Sequence, residues 1–159
     1  MDEISFKILG ILQEKARIPN VEVARRVGMA PSAVLERIRK LEKQGIIDGY
    51  EVRLNSERFG RGLVAFLFVS TASQSETEIG AALSEIPEVQ EVHYVSGEDC
   101  YLVKIRVSGT EELFETIRGK ISRIEGVLST RSVIALSTLK ETSRIPLDGV
   151  AISEKTNGK

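Results

Sequence analysis

Three residues place the tightest limit on how this chain can fold: Ala24, Gly28 and Val34. Ala24 is small enough to let two helices cross closely. Gly28 can take the positive φ of a tight inter-helix turn, and Val34, six residues on, fills the angle between the helices. A small residue, a turn glycine and a core aliphatic at these offsets describe a helix-turn-helix. Ile4, Ile8, Ile11 and Leu12 mark one face of a preceding helix behind Asp2 as its cap. Pro19-Asn20 stops and restarts the chain, with Asn20 the expected N-cap of a second helix through Val27. Pro31 suits the first position of a third helix, whose buried stripe is Val34, Ile38 and Leu41 and whose C-terminus is marked by Gly45.

The formal charge of the 159-residue chain is −1, which taken whole speaks against a nucleic-acid partner. Taken by segment it does not. Residues 1–60 hold 11 Lys/Arg against 9 Asp/Glu, whereas residues 61–159 hold 11 against 14. From Lys15 to Gly45, eight basic residues stand against three acids, so a basic segment is joined to an acidic one. A solvated helix face would carry the same charges, but on a helix-turn-helix they point to double-stranded DNA. The N-terminal part of the third helix then enters the major groove with Pro31, Ser32, Ala33, Leu35 and Glu36. Ser32 and Glu36 can hydrogen-bond base edges and Leu35 can touch a thymine methyl; Glu36 is equally suited to an ion pair with Lys40 at i+4. Arg25, Arg37, Arg39 and Lys40 suit phosphates, which position a protein without reading sequence.

The second half changes period. Leu63 to Thr71 is a nearly continuous apolar run, the pattern of a buried strand. Ser75-Glu76-Thr77-Glu78 has capping-box spacing, followed by Ile79, Ala82, Leu83 and Ile86 at helical spacing up to Pro87. Val89 to Ser96 alternates, a turn at Gly97-Glu98-Asp99 follows, and Tyr101, Val103, Ile105 and Val107 alternate with Leu102, Lys104 and Arg106. Thr110 opens a helix whose apolar side is Leu113, Phe114, Ile117, Ile121 and Ile124; Gly126 ends it, and Val127 to Leu136 is a fourth strand. The order βαββαβ describes an α+β, ferredoxin-like sandwich with both helices on one face of the sheet. Its other face needs a partner, which a second copy of the chain would supply.

Several classes are excluded. No apolar run approaches the ~20 residues of a membrane span, and Met1-Asp2-Glu3 does not begin a secretory leader, so a cytoplasmic, nucleoid-associated protein is expected. One cysteine and one histidine make neither an internal disulfide nor a zinc site, and no cofactor or metal is expected. His93 and Cys100 could approach as a thiolate pair, yet no third orienting group is visible, and no enzyme is expected. An RNA-binding module of the same βαββαβ order needs stacking aromatics on its third strand, where only Tyr101 is available.

Taken in order, Ala24 to Gly28, Val34 through Arg37 to Glu42, Gly45 to Tyr50, and Val95 to Ile105 resemble the Lrp/AsnC family of feast/famine transcriptional regulators. The resemblance spans roughly residues 2–140. It implies a helix-turn-helix DNA-binding domain over 1–49, a linker strand over 50–60, a RAM-type effector and oligomerisation domain over 61–138, and a partly flexible tail over 139–159. It also implies dimers that assemble further, often into octamers, and control by a small effector, an amino acid or related metabolite. In relatives the glycine turn lines the pocket, which here comprises Gly97, Glu98, Asp99, Cys100 and Tyr101. The chain departs from the family pattern at Ser5 and Cys100, where an acid is usual, and at Ala30, where serine usually caps the recognition helix. An architectural DNA-binding protein needing no effector is the alternative.

Overall fold

Asp2 starts the first helix as its sequence promises. In the computed structural model, which describes residues 1–72, 76–97, 100–147 and 149, Asp2 Oδ1 accepts from the Ser5 backbone N–H at 2.9 Å and α1 runs Glu3–Glu14. Helix α2 covers Asn20–Val27. Its N-cap is Pro19, not Asn20: the ring holds φ at −61° with extended ψ, and the Pro19 carbonyl accepts from Glu22 and Val23. Gly28 closes α2 at φ +70°, ψ 37°. Helix α3, Pro31–Lys43, starts behind Ala30, which has no side-chain oxygen to offer a cap bond. It ends where Gly45 takes φ +65° and Ile46 N–H returns to the Leu41 carbonyl. Ile8, Leu12, Val23, Ala24, Val34 and Ile38 close one core between the three helices.

The chain divides into two compact units, Met1–Arg53 with Glu141–Lys159, and Leu54–Lys140. The expected linker strand over 50–60 is absent. Residues 49–55 have no regular structure, and Ser56–Phe59 form a short 3₁₀ turn that the Asn55 side chain caps by accepting from Glu57 and Arg58 N–H. Tyr50, Val52 and Leu54 do alternate with polar residues, but all three are exposed. A strand also needs a ladder for its backbone groups, and none is present here among the described residues.

The second unit holds a four-stranded sheet in the order β2-β3-β1-β4, from β1 (Leu63–Thr71), β2 (Val89–Tyr94), β3 (Tyr101–Val107) and β4 (Val127–Ile134). All three pairings are antiparallel, as the ferredoxin-like order requires. Ala65, Leu67, Val69, Tyr101, Val103, Ile105 and Val107 form the buried face, packed with Ile79, Leu83 and Ile86 from α4 and its exit and with Leu113 and Ile121. Helix α4 covers Glu76–Ser84; Ser75 of the expected capping box lies outside the described residues. A register shift between Val89 and Glu91 explains why the alternation of β2 is imperfect. The last helix is shorter than its periodicity suggests: α5 is Thr110–Glu115, widening into a π turn over Thr116–Lys120 and a 3₁₀ turn over Ile121–Arg123. The widened turn changes which residues face the sheet, so Phe114 is exposed instead of buried, with the Arg118 guanidinium 5.8 Å from its ring centroid.

The tail is bonded to the first helix near its start. Gln13 Nε2 donates to the Ile145 carbonyl at 3.2 Å, and its Oε1 accepts from Ile145 N–H at 2.8 Å. The Gln13 amide thus pairs with the tail as a neighbouring peptide group would. Arg144 adds a bond to the Glu14 carbonyl. Residues 144–145 are therefore tied to α1, and residues 150–159 lie outside the described part.

Candidate nucleic-acid interface and ligand domain

Helix α3 sorts its side chains by angle. Val34, Ile38 and Leu41 are buried, which turns Ser32, Glu36, Arg39 and Lys40 outward, all exposed, with Pro31 exposed at the tip and Ala33 and Leu35 half-buried on the flanks. Glu36 makes no ion pair with Lys40 among the described residues, so the base-edge reading of Glu36 keeps an unoccupied carboxylate. Arg39 and Lys40 also have no acidic partner there. Lys43, one turn beyond Arg39 on the same exposed side, joins them. Sequence reasoning counted its charge but did not assign it; its i+4 spacing from Arg39 was the available signal.

The other two basic candidates are committed. Arg25 Nε and Nη2 donate to the two Glu22 carboxylate oxygens at 3.0 and 2.8 Å, and Arg26 Nε donates to the same residue. The bonds from Arg25 and then Arg26 hold the Glu22 carboxyl at about 2. This is a surface pair of small worth, which a phosphate can displace. Arg37 turns towards α1 instead: its Nη1 donates to Asp2 Oδ2 at 2.6 Å and to Ser5 Oγ at 3.1 Å. Bonds from Ser5 and then Arg37 hold the Asp2 carboxyl well below the usual carboxylate range. Ser5 itself is buried.

The ladder positions the glycine turn of the second unit. Val95 N–H donates to the Cys100 carbonyl at 2.9 Å, and Cys100 N–H donates to the Val69 carbonyl at 3.1 Å. Between them Gly97 takes φ +129°, a region open to glycine. Cys100 is half-buried; Glu98 and Asp99 lie outside the described residues. Tyr101 is not a free wall of this turn. It is buried against α4, where a Cβ on Gly80 would stand 3.0 Å from its hydroxyl, and it meets Tyr94 edge-on at 5.4 Å between centroids. His93 sits opposite Leu102 in register, with its Nε2 3.3 Å from Glu91 Oε2.

Residues 64–145 match the family described as Lrp/AsnC ligand binding domain. The chain belongs to the Lrp/AsnC family. Residues 1–48 match the winged helix-turn-helix DNA-binding description. Among curated relatives of this family, the leucine-responsive regulatory protein of Salmonella typhimurium is 35% identical over 148 residues, covering 91% of this chain and 90% of that one. That of Haemophilus influenzae is 34% identical over 150 residues, covering 92% and 90%. Among solved structures, a transcriptional regulator of Neisseria meningitidis in complex with L-methionine superposes with a TM-score of 0.88 at 31% identity, covering 93% of this chain and 97% of that one. A feast or famine regulatory protein from M. tuberculosis complexed with L-methionine gives 0.83 at 32%, covering 91% and 97%. As an Lrp/AsnC member the chain is a transcription regulator that joins a DNA-binding helix-turn-helix to an effector-binding domain. No helix among the described residues is long and apolar enough to cross a membrane.

Proposed function

We propose that Ser32, Glu36 and Leu35, with the backbone around Pro31 and Ala33, read bases, while Arg39, Lys40 and Arg25 hold phosphates. The observation that carries this reading is the sorting of α3: its apolar stripe is buried while Arg39 and Lys40 stand exposed without an acidic partner among the described residues. Phosphate contacts release counterions, so log affinity falls linearly with log salt. In a salt series by fluorescence anisotropy on duplex DNA, Arg39→Ala with Lys40→Ala weakens binding and flattens the slope by about 2. An unchanged slope overturns the assignment.

The domain roles follow the family: a DNA-binding head, a connecting segment over 50–60 and an effector domain over 61–138. The effector belongs to the amino-acid class, supported by the two relatives solved with L-methionine. Its site is the turn from Gly97 to Cys100, including Glu98 and Asp99, with Tyr101 as a buried floor. A thermal-shift screen beginning with L-methionine tests this; no hit across the amino acids favours the effector-free architectural reading. Homodimers, and larger homo-oligomers built from them, would cover the sheet face that carries Phe66, Phe68 and Val133. A cytoplasmic regulator with no catalytic function completes the reading, since the His93 ring nitrogen is directed to Glu91.

A further inference from the structure

Of the four basic side chains on α3 (Arg37, Arg39, Lys40 and Lys43), Arg37 alone has a partner among the described residues. That partner is composite. Asp2 divides its carboxylate, one oxygen capping α1 through Ser5 N–H and the other accepting from Arg37. The Ser5 hydroxyl accepts from the same guanidinium nitrogen. Two atoms at the start of α1, Asp2 Oδ2 and Ser5 Oγ, thus converge on one side chain of α3, across 35 and 32 residues of sequence.

We propose that Arg37 is a positioning residue for DNA recognition and not a phosphate ligand: with Asp2 and Ser5 it clamps the recognition helix to the start of α1. This inference rests on the DNA-binding reading given above. Val34, Ile38 and Leu41 hold α3 in place through apolar contact, which is non-directional and resists rotation of the helix about its own axis weakly. Arg37 lies roughly 60° around the helix from Val34, at the edge of that stripe, where directional hydrogen bonds oppose such rotation. The rotation matters because it decides where Ser32, Glu36 and Arg39 point. Asp2 also neutralises the Arg37 charge, so this side chain neutralises no phosphate and releases no counterion condensed on the DNA.

The experiment uses the full chain, a pool of randomised DNA duplexes, and the variants Arg37→Gln, Asp2→Asn, their double, and Arg39→Gln. Asparagine caps a helix as well as aspartate does, so Asp2→Asn removes the carboxylate and keeps the α1 cap. The clamp requires that Arg37→Gln and Asp2→Asn each weaken binding by about three- to tenfold, as the competent orientation becomes less populated. The double variant loses no more than either single one. The slope of log affinity against log salt stays at the wild-type value in all three, while Arg39→Gln flattens it by about 1. A flatter slope for Arg37→Gln makes Arg37 a phosphate ligand and overturns the proposal. So does unchanged or tighter binding by Asp2→Asn, the result expected if that acid merely repelled DNA. Should wild-type binding prove insensitive to salt, the DNA-binding reading itself fails. Thermal unfolding of the wild type, Asp2→Asn, Arg37→Gln and their double then judges the clamp: additive shifts for the two single variants refute it, and a non-additive pair supports it.

Discussion

Gly28→Ala isolates the turn on which the recognition helix depends. Gly28 sits at φ +70°, ψ 37°, and a Cβ built there meets nothing within 4 Å. The cost is therefore that of the backbone alone, about 1–2 kcal/mol for an L-residue in the left-handed region. Alanine also restricts the unfolded chain, which returns about 0.4–1 kcal/mol. The net is a destabilisation of about 1 kcal/mol, or roughly 4–8 °C in Tm for a domain this small. Gly10→Ala is the internal control. It lies inside α1, its Cβ also meets nothing within 4 Å, and its φ is not positive. The same chemical change there stabilises by about 1 kcal/mol through helix propensity. Gly28→Asn falls between the two, because asparagine tolerates the left-handed region. Thermal unfolding by circular dichroism reads the shifts, and amide exchange in α2 and α3 assigns them to the first unit. Equal signs for Gly28→Ala and Gly10→Ala, or Gly28→Asn as damaging as Gly28→Ala, refute the conformational argument.

Two further outcomes follow from caps and charges. Ala30→Ser places a hydroxyl at a position whose φ of −71° and ψ of 143° suit an N-cap, so it should stabilise α3 by about 1 kcal/mol; no gain in denaturant midpoint contradicts the cap geometry. Bonds from the Ser108 hydroxyl, the Ser108 N–H and then Arg61 hold the Glu112 carboxyl at about 2, below its usual 4.5. A lowered folded value gives stability that is present above pH 4.5 and disappears as pH falls towards 2. The stability difference between wild type and Glu112→Gln should therefore be level near neutrality and close across that window; a difference independent of pH removes the ionised carboxylate from the account.

Much of the fold was legible because its signals are local. The Ala24, Gly28 and Val34 spacing, the strand alternation at Tyr101 to Val107 and the Asp2 cap each depend on neighbours within a few residues. The expected element order and sheet type followed from them. Other features depend on packing or pairing that the pattern of a short segment does not carry. Arg37 resembles Arg39 and Lys40 by type and helix position, and only the packing of α1 beside α3 brings Asp2 to it. The linker strand over 50–60 was implied by the family resemblance, yet a strand exists only where another backbone completes its ladder, and none does so there among the described residues. Phe114 fits the helical period, but the π turn that follows α5 alters which side faces the sheet. Gln13 gives no sign in the sequence that it will hold Ile145.

The sequence alone determined most of the helices and strands, where the glycine turns fall, and that a basic helix-turn-helix precedes an acidic sheet domain. These rest on backbone conformation and hydrophobic period, properties that each short segment carries with it. Tertiary structure decided which basic side chains of α3 meet an acid: Arg37 reaches Asp2, while Arg39, Lys40 and Lys43 have no such partner among the described residues. That choice depends on distances of about 3 Å between groups more than thirty residues apart, and no local pattern encodes them.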